Sequence, residues 1–474
     1  MTQSSAAGKT SNTTSSQNSQ RLSMTDLDEQ AKILAILFYT VGHFFRDIKK
    51  LFSGITDPRQ PEKITYQVGD LAFAAILMYM CGLKARRQIG FLLRGGVCAD
   101  KFRELFDAPN CPHGDTLNNA FKLMDPQEFQ NLVCWMAYCL IRKKVLYPYR
   151  LLDRYFVIAI DGTWTLKRKK RHCPRCLTQT KNGKTTYYHM VLEAKLVTPD
   201  GFAIPLFTEF VENTGNDSKQ DCELKAFYRM AEKIKAYFPR LPVLLTIDGL
   251  FACGPVFAVC KEHGWKFMVV LKDGSIPTVS QEFEALSALQ PENRLMYRQV
   301  NKKGAVEQCL RWVNGIEYTD TQNTEHAVDV IECMETRVDS TGVACTKKHR
   351  WVTNVSVSQR NVVELGNNGG RLRWKVENEG FNVQKNGGYG LTHVYSKNDN
   401  SAKIFHFLMQ IAHLWMQMLI KGSLMRRCFP RGMGSDKNVG FRLLEAWRNA
   451  RMPGGMLQWI TQWRLQIRFC PDTS

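Results

Sequence analysis

The stretch Phe156-Val157-Ile158-Ala159-Ile160-Asp161-Gly162-Thr163 is a run of apolar, strand-forming residues closed by an acid and a glycine. A second stretch, Val243-Leu244-Leu245-Thr246-Ile247-Asp248-Gly249, repeats the pattern. Short apolar runs bounded by turn residues are what strands buried on both faces look like in sequence. Asp161 and Asp248 are therefore expected at the tips of two central strands, where each strand gives way to a glycine turn and a carboxylate can hold an ion. Either acid alone has a plainer reading, because Asp-Gly is a common turn pair.

Outward from these stretches, Tyr187 to Val197 and Ala203 to Phe210 read as further strands, and Ser218 to Phe238 as a helix. Lys266 to Leu271 reads as a strand, with a short helix near Pro255 to Glu262 before it. Three strands able to meander, then helix, strand, helix, strand, specify a mixed α/β sheet with helices on its faces. This element order resembles the ribonuclease H-like fold. In that fold the first and fourth strands are neighbours, which implies that Asp161 and Asp248 lie side by side and that a third acid arrives on a late helix. Between Pro291 and Val357 come alternating stretches such as Ala327-Val328-Asp329-Val330-Ile331-Glu332, a β-rich insertion within bounds of about 280–358. Past Asn361 the pattern is helical again. Ala402, Ile404, Phe405, Leu408, Ile411, Ala412, Trp415, Met418 and Leu419 form a broad apolar face expected to be core.

Residues 1–23 are mostly Ser, Thr, Asn and Gln and bury too little apolar surface to offset the entropy of ordering, so a disordered tail is expected. Helical periodicity begins after the capping stretch Thr25-Asp26-Leu27-Asp28. The organisation expected is a helical domain at 24–150, to which the resemblance described below implies DNA binding, a ribonuclease H-like domain at 151–425 that includes the insertion and to which it implies catalysis, and a C-terminal helical segment at 426–474. The 474 residues carry 64 Lys and Arg against 44 Asp and Glu, a formal charge of +20, which favours a phosphate-rich partner. Fifteen scattered cysteines with no cleavable apolar leader fit reduced thiols in a cytoplasmic, DNA-associated protein. The most apolar run, Leu71 to Leu83, is shorter than the roughly 20 residues that span a bilayer, so no membrane association is expected. No H-E-x-x-H or G-x-x-x-x-G-K-[ST] motif points to a zinc protease or an ATPase.

Arg373-Trp374-Lys375-Val376-Glu377-Asn378-Glu379-Gly380-Phe381 supplies candidates for the third acid. Together with Ile160-Asp161-Gly162-Thr163, Lys219-Gln220-Asp221-Cys222-Glu223-Leu224 and Thr246-Ile247-Asp248-Gly249-Leu250, this stretch resembles the DDE-type insertion-sequence transposases with a β insertion before the last acid. The resemblance runs from about Asp57 to the last helices. It implies Asp161, Asp248 and Glu377 as catalytic residues and as ligands of two Mg²⁺ ions, with Mn²⁺ as a substitute. Glu379 is the alternative third ligand; two positions apart on an α-helix is about 200° of rotation, so only one of the pair can face the aspartates. The Tyr, Arg, Glu and Lys signature of such transposases carries over to Arg373 and Glu377. Its tyrosine position is Gly370, and its lysine position is Gln384 with Lys385 one further on, so Lys385 is the provisional lysine.

Lys167-Arg168-Lys169-Lys170-Arg171, with Arg175, Lys181 and Lys184, form an acid-free basic segment close to Asp161. Lys167 to Arg171, Arg373 and Lys385 are the candidate DNA contacts, of a kind that positions the backbone without reading sequence. Within the segment, His172-Cys173-Pro174-Arg175-Cys176 resembles half of a zinc knuckle, and His189 is a further ligand candidate for a structural zinc. The expected function is metal-dependent cleavage at the terminal inverted repeats of an insertion element and strand transfer into target DNA. The partners are double-stranded DNA, both element ends and target, and a second protomer in a synaptic dimer, as the resemblance implies. Two alternatives stay open: another ribonuclease H-like metal nuclease such as a resolvase, and a DNA-binding protein that has lost catalysis.

Overall fold

Phe156 to Ile160 are buried without exception and pair in parallel with the equally buried Val243 to Ile247. In the computed structural model, which describes residues 24, 27–45, 50–213, 219–301, 304–338, 343–451 and 466–469, this pair is the centre of a ten-stranded sheet. The strands are β1 (Phe156–Arg168), β2 (Leu177–Lys181), β3 (Lys184–Val197), β4 (Ala203–Val211), β5 (Val243–Ile247), β6 (Lys266–Val270), β7 (Arg294–Asn301), β8 (Gly304–Thr319), β9 (Glu325–Val338) and β10 (Ala344–Thr353). Their order is β2-β3-β1-β5-β6-β10-β9-β8-β7, with β4 also against β3. β1 and β5, and β5 and β6, run parallel, while β1, β3 and β4 form an antiparallel meander. The tail expected at 1–23 lies outside the described residues, as do 452–465 and 470–474 of the expected C-terminal segment.

Two expectations need correcting. β1 does not end at Asp161: it continues through Gly162 to Arg168, paired with β3 from Ile158↔Leu196 to Arg168↔Tyr187. Gly162 is not a turn residue but a strand residue, and its missing Cβ leaves room for a close neighbour described below. The segment after it is correspondingly a β arm, in which β2 and β3 are joined at Lys181↔Lys184 through Asn182 and Gly183. Both of these turn residues have positive φ, 50° and 70°, as a tight two-residue hairpin turn requires.

The insertion is β-rich, but it begins later than 280: residues 277 to 289 form a helix whose Val279 and Phe283 are buried. β7 to β10 then meander antiparallel, and β10 pairs with β6 through Trp351↔Val270, so the insertion prolongs the central sheet. Trp312 and Trp351 are buried in its core.

Asp28 caps the first helix (Glu29–Phe45) by accepting from the backbone N–H of Ala31 at 2.7 Å. The run beginning at Leu71 lies in the buried helix Val68–Met80. The late helix Asp399–Lys421 is buried almost all round, which marks a helix at the middle of a core. It packs against Val68–Met80, Pro126–Arg142 and Glu29–Phe45, so N-terminal and C-terminal helices share one hydrophobic core with the sheet. Two glutamines fasten this layer to β4. The Gln130 amide bonds Leu206 O (3.0 Å) and Thr208 N (2.9 Å), and that of Gln417 bonds Ala203 N (2.8 Å) and Ala203 O (3.1 Å). Each side chain satisfies backbone groups that would otherwise lie open on β4. Among the described residues no helix is long and apolar enough to cross a membrane.

Candidate active site

The last parallel pair between β1 and β5 is Ile160↔Ile247, so the next residue on each strand is the acid, Asp161 or Asp248. The register alone brings together two carboxylates that are remote in sequence. Both line a cleft of about 800 Å³ with Lys272, Arg373, Trp374, Glu377 and Lys385. Asp248 Oδ2 accepts from Lys272 Nζ at 2.8 Å, and Asp161 Oδ2 accepts from Arg373 Nη1 at 3.2 Å. Burial raises the pKa of Asp161; Arg373 and the Gly162 N–H oppose the shift, and the negative charges of Glu377 and Asp248 add to it. Burial works against the charge of Asp248 too, but Lys272, the Gly249 N–H and Arg373 outweigh it and hold that carboxyl below its ordinary value.

Glu377 comes from a broken helix covering residues 362 to 386, in which wide π-turns occupy Leu365–Gly369 and Val376–Asn382. Single-turn π segments are frequent at functional sites because they add a residue to a helix without ending it. Glu377 is exposed into the cleft, whereas Glu379 turns away: it bonds Lys375 Nζ at 3.3 Å and lies beside Gly201 in the β3–β4 turn. Arg373 is buried, reaches Asp161, and lays its guanidinium 4.6 Å from the ring centroid of the half-exposed Trp374.

Both departures from the transposase signature have a steric account. A Cβ at Gly370 would lie 2.5 Å from the Trp351 indole, so no tyrosine fits there. Gln384 is fully buried and bonded to Gln410 and His413, while Lys385 lines the cleft and donates to Thr163 Oγ1 at 2.6 Å. The extra residue of the π-turn between Glu377 and this lysine accounts for a shift of one position.

Glu223 has no role in the expectations drawn from sequence. It opens the helix Glu223–Tyr237. Side chains alternate along a strand, so a Cβ at 162 would point away from the face of Asp161 and Thr163; it would meet Glu223 Oε1 at 2.3 Å. Burial, with the charges of Asp161 and Asp248, pushes the Glu223 carboxyl up to about 7. The local hint in sequence is Gly162 itself, since a glycine inside a strand marks a close approach.

Lys167 and Arg168 are the last residues of β1, and Lys169 to Arg171 follow in the connection to β2; all five are exposed. Lys167 Nζ lies 4.3 Å from the Trp164 ring centroid, and Arg171 6.0 Å from that of Tyr187. β1 therefore carries Asp161 into the cleft and the basic run out of it. Beyond the run, His172, Cys173, Cys176 and His189 converge, and their ligand atoms all lie within 4.8 Å of one another. Among the described residues no such tight group is formed by Asp161, Asp248 and Glu377. Ligands divided between two ions about 3.5–4 Å apart need not share a single coordination shell.

No curated protein matches the chain. Residues 49–136, which span the helices from Val68–Met80 to most of Pro126–Arg142, match the family model described as DDE_Tnp_1-associated, and this match points to a transposase of the DDE family.

Proposed function

We propose that the chain is a DDE transposase with a ribonuclease H-like catalytic core that cuts DNA at the terminal inverted repeats of its element and joins the ends to target DNA. The carrying observation is the sheet register that sets Asp161 beside Asp248, with Glu377 lining the same cleft. The strand order, a meander of β1, β3 and β4 followed by parallel β5 and β6, supports the ribonuclease H-like reading.

The donor set fits divalent metal. Asp161, Asp248 and Glu377 offer only hard oxygens, the donors Mg²⁺ selects. Burial and the charges of Glu377 and Asp248 raise Asp161, so positive charge is in demand there. Asp161, Asp248 and Glu377 would hold two Mg²⁺ ions, with Mn²⁺ serving in place of Mg²⁺. Such a pair of ions, when bound, activates the attacking oxygen and stabilises the leaving one.

The chain's own groups bind and orient. The exposed Lys167 to Arg171 hold the DNA backbone beside the cleft, Lys385 faces the phosphate at the reacting end, and Arg373 orients Asp161 and can turn to the same phosphate. Strand transfer is attack by the freed 3′-hydroxyl on a target phosphodiester, so one P–O bond forms as another breaks. Two protomers would hold the two ends together.

The test is a strand-transfer assay with full-length protein, duplexes carrying the element's inverted repeats, a supercoiled target and Mg²⁺. Joined products support the proposal. Cleavage without joining assigns the chain to the simple nucleases, and DNA binding without cleavage to the inactive derivatives.

A further inference from the structure

The side chains of His172, Cys173, Cys176 and His189 meet at one point on the arm, away from the carboxylate cleft. Cys173 Sγ and Cys176 Sγ are 3.4 Å apart, Cys173 Sγ is 3.1 Å from His189 Nε2, and Cys176 Sγ is 3.6 Å from the same nitrogen. His172 presents its ring to Cys176 Sγ, with Nδ1 at 3.3 Å and Nε2 at 3.4 Å. A zinc ion with bonds of about 2.3 Å to sulfur and 2.0–2.1 Å to nitrogen sets its ligands about 3.3–3.8 Å apart along the edges of a tetrahedron. The observed separations lie in or close to that range for every pair quoted. The sulfurs are much too far apart for a disulfide, whose S–S bond is about 2.05 Å.

We infer that these four residues form a structural Zn²⁺ site that locks the basic arm to the central sheet. His172 and Cys173 lie in the connection after β1, Cys176 immediately precedes β2, and His189 is on β3 opposite Leu166 of β1. One ion therefore ties the β1–β2 connection and the start of β2 to β3. Two thiolates cancel the charge of the ion, so the site adds nothing to an already cationic segment. All four protein ligands are present, which closes the shell and makes the site structural rather than catalytic. Cys176 is buried, and Arg175 between the two cysteines is anchored by Glu212 and Asp399, so the loop is already shaped for the ion. The metal is distinct from the hard cations of the cleft, because thiolate and imidazole select zinc where carboxylates select Mg²⁺.

The full-length protein, prepared under reducing conditions without chelator, is expected to contain one zinc per chain by elemental analysis. Stripped protein titrated with Co²⁺ should develop visible d–d bands and a thiolate-to-cobalt charge-transfer band, and zinc should abolish both. Removing zinc with a chelator that spares Mg²⁺ should make tryptic cleavage between 167 and 184 roughly tenfold faster, since the loop loses its fastening. The variant C173S should lose the charge-transfer intensity contributed by one thiolate. Protein that holds no zinc and gives no cobalt–thiolate band, while keeping the circular dichroism of a folded chain, overturns the inference. So does a cobalt spectrum unchanged by C173S. The test is independent of transposition, because none of these three readouts requires DNA.

Discussion

Arg373 Nη1 donates to Asp161 Oδ2 across 3.2 Å, and this bond joins the broken helix at 362–386 to the first central strand. It fixes the element that carries Glu377 directly to the Asp161 carboxylate. Asp161→Asn should lower Mg²⁺-dependent nicking about a thousandfold or more, since the variant lacks one of the carboxylates that would hold the ions. Because burial and the neighbouring carboxylates raise the folded-state pKa of Asp161 even with Arg373 beside it, the neutral variant should unfold no earlier than the wild type in metal-free protein at neutral pH. Nicking and thermal unfolding measured on the same preparation check both parts. Wild-type nicking by D161N would falsify the assignment.

Glu377 and Glu379 separate cleanly by direction. Glu377→Ala should abolish nicking as thoroughly as D161N, whereas Glu379→Ala, which removes only the bond to Lys375 and the neighbourhood of Gly201, should keep activity within a few-fold. Steady-state cleavage of a pre-nicked end duplex distinguishes them, and the reverse ranking would move the third ligand to 379.

Glu223 makes the metal-free protein sensitive to pH. Its folded-state pKa is raised from 4.5 to about 7, so between those values the folded chain binds more protons than the unfolded one. Stability from this group is therefore fully present below pH 4.5 and is lost as pH rises through 7, by roughly 3 kcal/mol in all. Glu223→Gln, with no charge to bury, should raise the melting temperature of metal-free protein at about pH 8 and leave it nearly unchanged at about pH 5. Thermal scans in chelator at the two pH values give the comparison; equal gains at both would remove Glu223 from the charge cluster.

The basic arm should act on affinity and hardly at all on chemistry. Replacing Arg168, Lys169 and Lys170 together by alanine should weaken DNA binding uniformly across sequences. The slope of log K against log salt should fall by about 0.9 for each phosphate that the variant no longer neutralises. Binding isotherms at several salt concentrations measure this, and an unchanged slope would mean that the arm does not touch the backbone.

The central strands were legible because burial on both faces forces an unbroken apolar run, and Phe156 to Ile160 and Val243 to Ile247 have little else they can be. Their adjacency followed from the ribonuclease H-like fold that the order of elements resembles. The Arg-x-x-x-Glu spacing led to Glu377, yet the direction of Glu379 depended on a π-turn that no periodicity announces. Glu223 was invisible for a different reason: an acid in the first turn of a helix is ordinary, and its meaning lies wholly in the close approach across Gly162. The β2–β3 hairpin did have a local signal, Asn182-Gly183 between Lys181 and Lys184, which the density of charge around it obscured. Gly162 misled because glycine after aspartate is as much at home in a turn as in a strand that something approaches closely.

The insertion runs from rim to centre. After β6 the chain passes through the 277–289 helix to the outermost strand β7, then returns inward through β8 and β9 until β10 lies against β6. This homeward route sets the polypeptide down at the Phe267 end of β6, opposite the cleft, where Glu364 accepts from Leu152 N, so the broken helix must climb back along the sheet to bring Glu377 to the aspartates. Excising the four strands would strip β6 of its outer neighbour and maroon Glu377 far from its companions, whereas enlargement at the distant hairpin ends would leave the docking of β10 untouched. Growth at the periphery is therefore cheap for this architecture, and amputation at the root is ruinous.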